Sequence, residues 1–167
     1  KGQYASEKSY IDFSGEFKNF SFIMNHSAST VGVPGAQPSV AMRGLQVQNR
    51  NLNIQAKYRK EFNDKFKIEA KYTYSEYELK MEDFAIVYPD INSYIEVTTQ
   101  AHEVEFNTFY QVCKKAKLTT GLYTRHTPKI DKYVDAPLLG LYRESTQLAP
   151  YDFLNVSAAF TQLEYNP

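Results

Sequence analysis

The chain has 167 residues, with 19 Lys and Arg against 19 Asp and Glu, so no global charge draws it toward nucleic acid or any other polyion. No run approaches the roughly 18 to 20 consecutive apolar residues of a membrane-crossing helix, which excludes a helical membrane protein. A transmembrane barrel stays open, because its strands alternate lipid-facing and lumen-facing residues, and the 14 Tyr and 11 Phe suit such half-buried strands.

Lys1-Gly2-Gln3 carries neither an initiator Met nor a signal pattern, so the chain is expected to be a processed or truncated piece of a larger barrel. From Ser9 to Phe17, Ile11, Phe13 and Phe17 alternate with Asp12, Ser14 and Glu16, the period of a strand. A tight turn at Lys18-Asn19 leads into Phe20, Phe22 and Met24, which resume the alternation. A long loop rich in Gly, Pro and small polar residues is expected at 29–49.

The clearest hairpin follows. Leu52, Ile54, Ala56 and Tyr58 alternate with Asn53, Gln55, Lys57 and Arg59; after a turn at Asn63-Asp64, Phe66, Ile68, Ala70, Tyr72 and Tyr74 alternate with Lys67, Glu69, Lys71 and Thr73. Near Ser75-Glu76 the apolar parity changes, since Tyr77 and Leu79 take over, and this predicts a β-bulge. A second loop spans 81–95. Val104, Phe106, Tyr110 and Val112 then form a strand that turns at 113–116 and returns over 117–125. A third loop at 127–138 contains two prolines, and weaker strands at 139–148 and 153–164 flank a turn at 149–152. The reading is all-β: an antiparallel up-and-down meander of about eight long strands, a transmembrane β-barrel segment over 1–167, with no helix.

Short turns alternate with long loops, as in bacterial outer-membrane barrels, and the strands reach or pass the ~9–11 residues that cross hydrocarbon obliquely. With short turns on the periplasmic rim, the first strand descends and the last ascends. Both ends would then be extracellular, and a strand is expected to be missing at each end.

Asn107 to Gln111, a Lys-rich turn, and Lys117 to Arg125 resemble the hairpins of TonB-dependent outer-membrane receptors, and Asn51 to Tyr74 is similar in the same way. The resemblance covers about 9–126. The sequence departs from the family in showing neither the plug domain nor the TonB-box segment, so no family functional residue is carried over. The resemblance implies energised uptake of a scarce ligand such as a siderophore, cobalamin or glycan through the TonB system, in the cell outer membrane, with this piece supplying wall and loops. A soluble β-barrel binding a small apolar ligand is the alternative, since periodicity does not tell inside from outside; the strand lengths and the absence of Trp weigh against it.

No catalytic site, metal site or cofactor is expected. His26, His102 and His126 have no HxH or HxxxH spacing. Glu103 and Glu105 share a face, as lumen-lining carboxylates do. Lys57, Arg59, Lys67, Glu69 and Lys71 read as cross-strand pairs rather than a solute path. Cys113 reads as an incidental thiol, and the sequons at Asn19, Asn25 and Asn155 as chance. Ligand contact is expected from the long loops, with Arg43, Tyr88, Tyr94, Lys132 and Tyr133 as exposed aromatics and cations suited to an anionic ligand.

Overall fold

The computed structural model describes residues 6–33, 45–82, 94–135 and 154–165. These form seven strands: β1 (Ser6–Phe17), β2 (Phe20–Val33), β3 (Leu45–Asn63), β4 (Phe66–Glu82), β5 (Tyr94–Cys113), β6 (Ala116–Asp135) and β7 (Leu154–Tyr165). They pair in chain order into one antiparallel sheet, the up-and-down meander that the alternation of apolar and polar residues calls for. The strand expected at 139–148 lies outside the described residues.

Three two-residue turns close one end of the sheet. At the first, Lys18 takes φ 53°, the left-handed conformation a tight hairpin needs. At the second, the turn is Asp64-Lys65, one residue beyond the expected pair. Asn63 is its cap, with Oδ1 accepting from the backbone N–H of Lys65 at 2.9 Å and of Phe66 at 2.8 Å. At the third, Lys114-Lys115, the Gln111 side-chain amide donates to the carbonyls of Cys113 and Ala116.

Three expectations are corrected at the other end. The strands run farther than the alternation indicated, so the loop expected at 127–138 is the upper part of β6 up to Asp135. Pro128 survives in that strand because the ladder pairs Gln100 with Lys129 and His102 with His126, placing two residues opposite Ala101. A bulge is where a residue without an N–H fits a sheet. Second, no bulge occurs at Ser75-Glu76: β4 keeps unbroken register with β3 and with β5 from Lys67 through that point to Glu82, the one shift against β3 lying next to the turn between Glu61 and Asn63. Third, β7 descends directly beside β6, pairing Thr127 with Leu154 and Ala116 with Tyr165, so the last strand runs in the same direction as β1 rather than opposite to it.

The two faces of the sheet differ in how enclosed they are. On β4–β6 the well-exposed large apolar side chains, including Tyr72, Val104, Phe106, Tyr110 and Leu122, share one face by register. The five buried residues, Thr73, Ala101, Asn107, Gly121 and Thr127, all lie on the other. Val104 is 46% exposed and Asn107 7%. We call the open face outer and the enclosed face inner.

Candidate functional site

The outer face carries a belt. Following the register from the short-turn end, β1 contributes Ile11, Phe13 and Phe17; β2 Phe20, Phe22 and Met24; β3 Leu52, Ile54, Ala56 and Tyr58; β4 Phe66, Ile68, Ala70, Tyr72 and Tyr74; β5 Val104, Phe106 and Tyr110; and β6 Leu118 and Leu122. From Phe66 to Tyr74 the strand climbs about 27 Å at ~3.4 Å per residue, or roughly 20 Å of height at the ~40° inclination of barrel strands. That is close to the ~25 Å apolar band of outer-membrane barrels.

Aromatic rings mark both margins of the belt. Near the turns, Phe20 packs on Tyr58 with centroids 4.7 Å apart, and Phe62 stacks on Phe66 at 5.5 Å. At the far margin, Tyr72 and Tyr74 cluster on His102, whose Nδ1 lies 2.8 Å from the Tyr72 hydroxyl. Rings with one polar atom favour the boundary between apolar and wet surroundings.

Beyond that margin the same face turns charged while the backbone register continues. Glu76, Glu78 and Lys80 follow Tyr74 along β4; Gln100, Thr98 and Glu96 follow His102 along β5; and Arg50 and Gln48 follow Leu52 along β3. Arg50 meets Glu78 at 3.4 Å, and Lys80 bridges Glu78 at 2.6 Å and Glu96 at 3.3 Å. The hydrogen bond from Lys80 holds the Glu78 carboxyl below its ordinary range, and the same contact raises Lys80.

The inner face changes in the opposite sense. Beside the belt it is charged, and beyond the margin it carries Val31, Val47, Tyr77, Leu79, Met81, Ile95, Val97 and Ile130. The parity change read from the sequence as a bulge is therefore a change of side-chain chemistry on an unbroken ladder.

Beside the belt, the inner-face charges neutralise one another. Lys57 meets Glu69 at 2.9 Å, Arg59 and Lys67 share Glu61, Lys71 pairs with Glu105, and Arg125 with Glu103 at 3.5 Å. Lys57, Lys67, Glu69 and Lys71 form cross-strand pairs as expected, whereas Arg59 pairs with Glu61 along its own strand. Lys57 and Lys71 face each other directly in register; Lys57 takes Glu69 on the diagonal, and Lys71 takes Glu105, directly opposite it on β5. Glu103 and Glu105 share this face as expected, each with its own cation.

Of the five residues expected to contact a ligand, Arg43 and Tyr88 lie outside the described residues. Tyr94 opens β5, whereas Lys132 and Tyr133 belong to strand β6 rather than to a loop. The register brings Tyr94 and Tyr133 together on the outer side, rings edge to face at 5.7 Å, and turns Lys132 to the inner side in the row of Leu79 and Val97. Burial first, and then a 2.6 Å hydrogen bond to Glu96, push the Tyr94 hydroxyl up to about 12.

His102 and His126 lie opposite each other across β5 and β6, a meeting the sequence spacing did not show. They lean apart, His102 toward the tyrosines of β4 and His126 toward Asn155 of β7. Among the described residues no cluster of three or more His, Cys, Asp or Glu side chains could hold a metal ion. Comparison with protein-family models, with curated proteins and with solved structures gives no match to this chain.

Proposed function

We propose that this chain forms the wall of an outer-membrane β-barrel receptor or transporter, within a TonB-dependent system that takes up a scarce ligand such as a siderophore, cobalamin or glycan. One observation carries the membrane part of the reading: across β3, β4 and β5 both faces reverse polarity at the same level. An apolar outer belt over a charged, self-neutralised inner face fits a wall between lipid and a wet lumen. Charged outside and apolar inside, beyond the margin, is the ordinary arrangement of protein in water. A soluble barrel with an internal apolar ligand would instead place the belt residues on the enclosed face.

The uptake part rests on the hairpin resemblance, on the strands extending past the belt, and on the sequence expectation that long loops lie beyond them. Connections mounted on a rigid wall are where recognition sits. The wall contributes position and a lumen, and no chemical step is assigned to it.

Partition between buffer and phosphatidylcholine vesicles tests the membrane reading. The chain should float with vesicles or require detergent to stay dispersed; a monomer stable in buffer and indifferent to lipid would overturn it. Deleting 83–93 in a barrel that still folds tests the receptor reading, with loss of ligand binding and uptake expected. Unchanged uptake would remove that connection from the site.

A further inference from the structure

The two margins of the belt carry opposite charge. At the short-turn end, all three turns present lysines: Lys18 at the first, Lys65 at the second, Lys114 and Lys115 at the third, and Lys60 lies just inside the rim on the outer face. All five are exposed. Lys18 and Lys60 fold over the rings of Phe17 and Phe62 with Nζ 5.2 and 4.9 Å from the centroids. Lys65, Lys114 and Lys115 have no ion-pair partner among the described residues. The nearby carboxylates Glu61 and Glu164 are engaged by Arg59, Lys67 and Lys117, which leaves Asp64 within the turns and Glu16 beside Lys18 as the other acidic side chains of the rim, against five lysines.

Above the other margin the described outer-face side chains are acidic on balance, with Glu7, Glu76, Glu78, Glu82, Glu96 and Asp131 against Arg50 and Lys80. Lysines standing beyond a ring of aromatic side chains are placed to bury their stems along the apolar margin and present ammonium groups at headgroup level. An ammonium there meets a phosphodiester oxygen with a charge-assisted hydrogen bond.

We propose that the short-turn rim is a docking surface for the headgroups of anionic phospholipids. It selects the leaflet in which the turns lie, and so the direction in which the wall inserts. This rests on the membrane reading above, and one experiment separates the two. Affinity of the chain is measured for phosphatidylcholine vesicles with and without phosphatidylglycerol, at fixed ionic strength.

Binding to the anionic vesicles should be at least roughly ten-fold tighter, given about 1 kcal/mol per lysine near such a surface. Replacing Lys18, Lys65, Lys114 and Lys115 together with Gln should abolish that preference and leave phosphatidylcholine binding intact. Replacing the same four with Arg should keep it. Equal affinity of the parent chain for both vesicles, or a preference that survives the Gln replacements, overturns the docking surface while the wall stands. No binding to either vesicle overturns the wall itself. A preference removed by inorganic phosphate but not by chloride of equal ionic strength would assign the rim to a free anion instead of a lipid surface.

Discussion

The lower and upper halves of β3, β4 and β5 are made from the same strands in the same register, yet they solve opposite solvation problems. In the lower half Ile54, Ile68 and Val104 stand on the open face, and Lys57, Lys71 and Glu105 on the enclosed one; in the upper half Glu78 and Glu96 stand outside, and Leu79 and Val97 inside. A uniform aqueous environment gives no reason for both arrangements to occur on one sheet. What changes between the halves is what each face touches, and a strand can record that change without any irregularity in its backbone.

The largest expected effect comes from placing one charge on either side of the margin. Ile54→Arg, Ile68→Arg or Val104→Arg should each destabilise the lipid-embedded wall by ~2–4 kcal/mol if near the bilayer midplane. Thr98→Arg, on the same face but above the margin, should stay within ~0.5 kcal/mol as a surface change does. A denaturant titration in lipid vesicles measures both. Equal costs at the two levels would erase the distinction between the halves.

A second effect belongs to the inner face of the lower half. Gly121 lies between Asn107 and Phe160 in register, and a Cβ there would collide with the Phe160 ring and with Asn107 Oδ1. Gly121→Val should therefore cost about 1–3 kcal/mol by overpacking, and Phe160→Ala should recover much of it. Additive losses in the double variant would show that the ring does not cover the glycine.

Much of this was legible in the sequence. The hairpin of β3 and β4, its two faces and its charge pairs follow from period-two alternation, because each side chain's face is fixed once the strand is. The change at Ser75-Glu76 was visible too, but a change of parity has two causes, a backbone insertion or a change of surroundings, and alternation alone does not separate them. Pro128 misled for a related reason: proline breaks a ladder unless a bulge receives it, and the bulge depends on Ala101 of the neighbouring strand. The descent of β7 beside β6 depends on pairing at a distance, Leu118 with Leu163 and Lys117 with Glu164, which no local pattern encodes. Tyr94 and Tyr133 meet, and Lys132 turns inward, only through that same bulge-set register.

Smaller effects sharpen the comparison. Lys71→Gln removes the partner of Glu105 on the inner face and should cost ~0.2–1 kcal/mol, the range of cross-strand pairs, well below any arginine in the belt. In the upper half the Glu78 carboxyl is held below its ordinary value of 4.5 by Lys80. The folded state therefore favours the ionised form, and this small contribution is present above the ordinary value and lost as pH falls below it. Stability against pH should show that loss in the parent chain and lack it in Glu78→Gln.

The reversal itself is tested most directly by collisional quenching along β4 and β5. With Cys113 replaced by Ser, single cysteines at Ile68, Val104, Glu78 and Thr98, all on the outer face, carry a fluorophore in chain reconstituted into vesicles. A lipid-soluble quencher should reach the labels at Ile68 and Val104 and a water-soluble one those at Glu78 and Thr98, with the changeover at Tyr74 and His102. The same quencher reaching all four positions would contradict the two-environment wall.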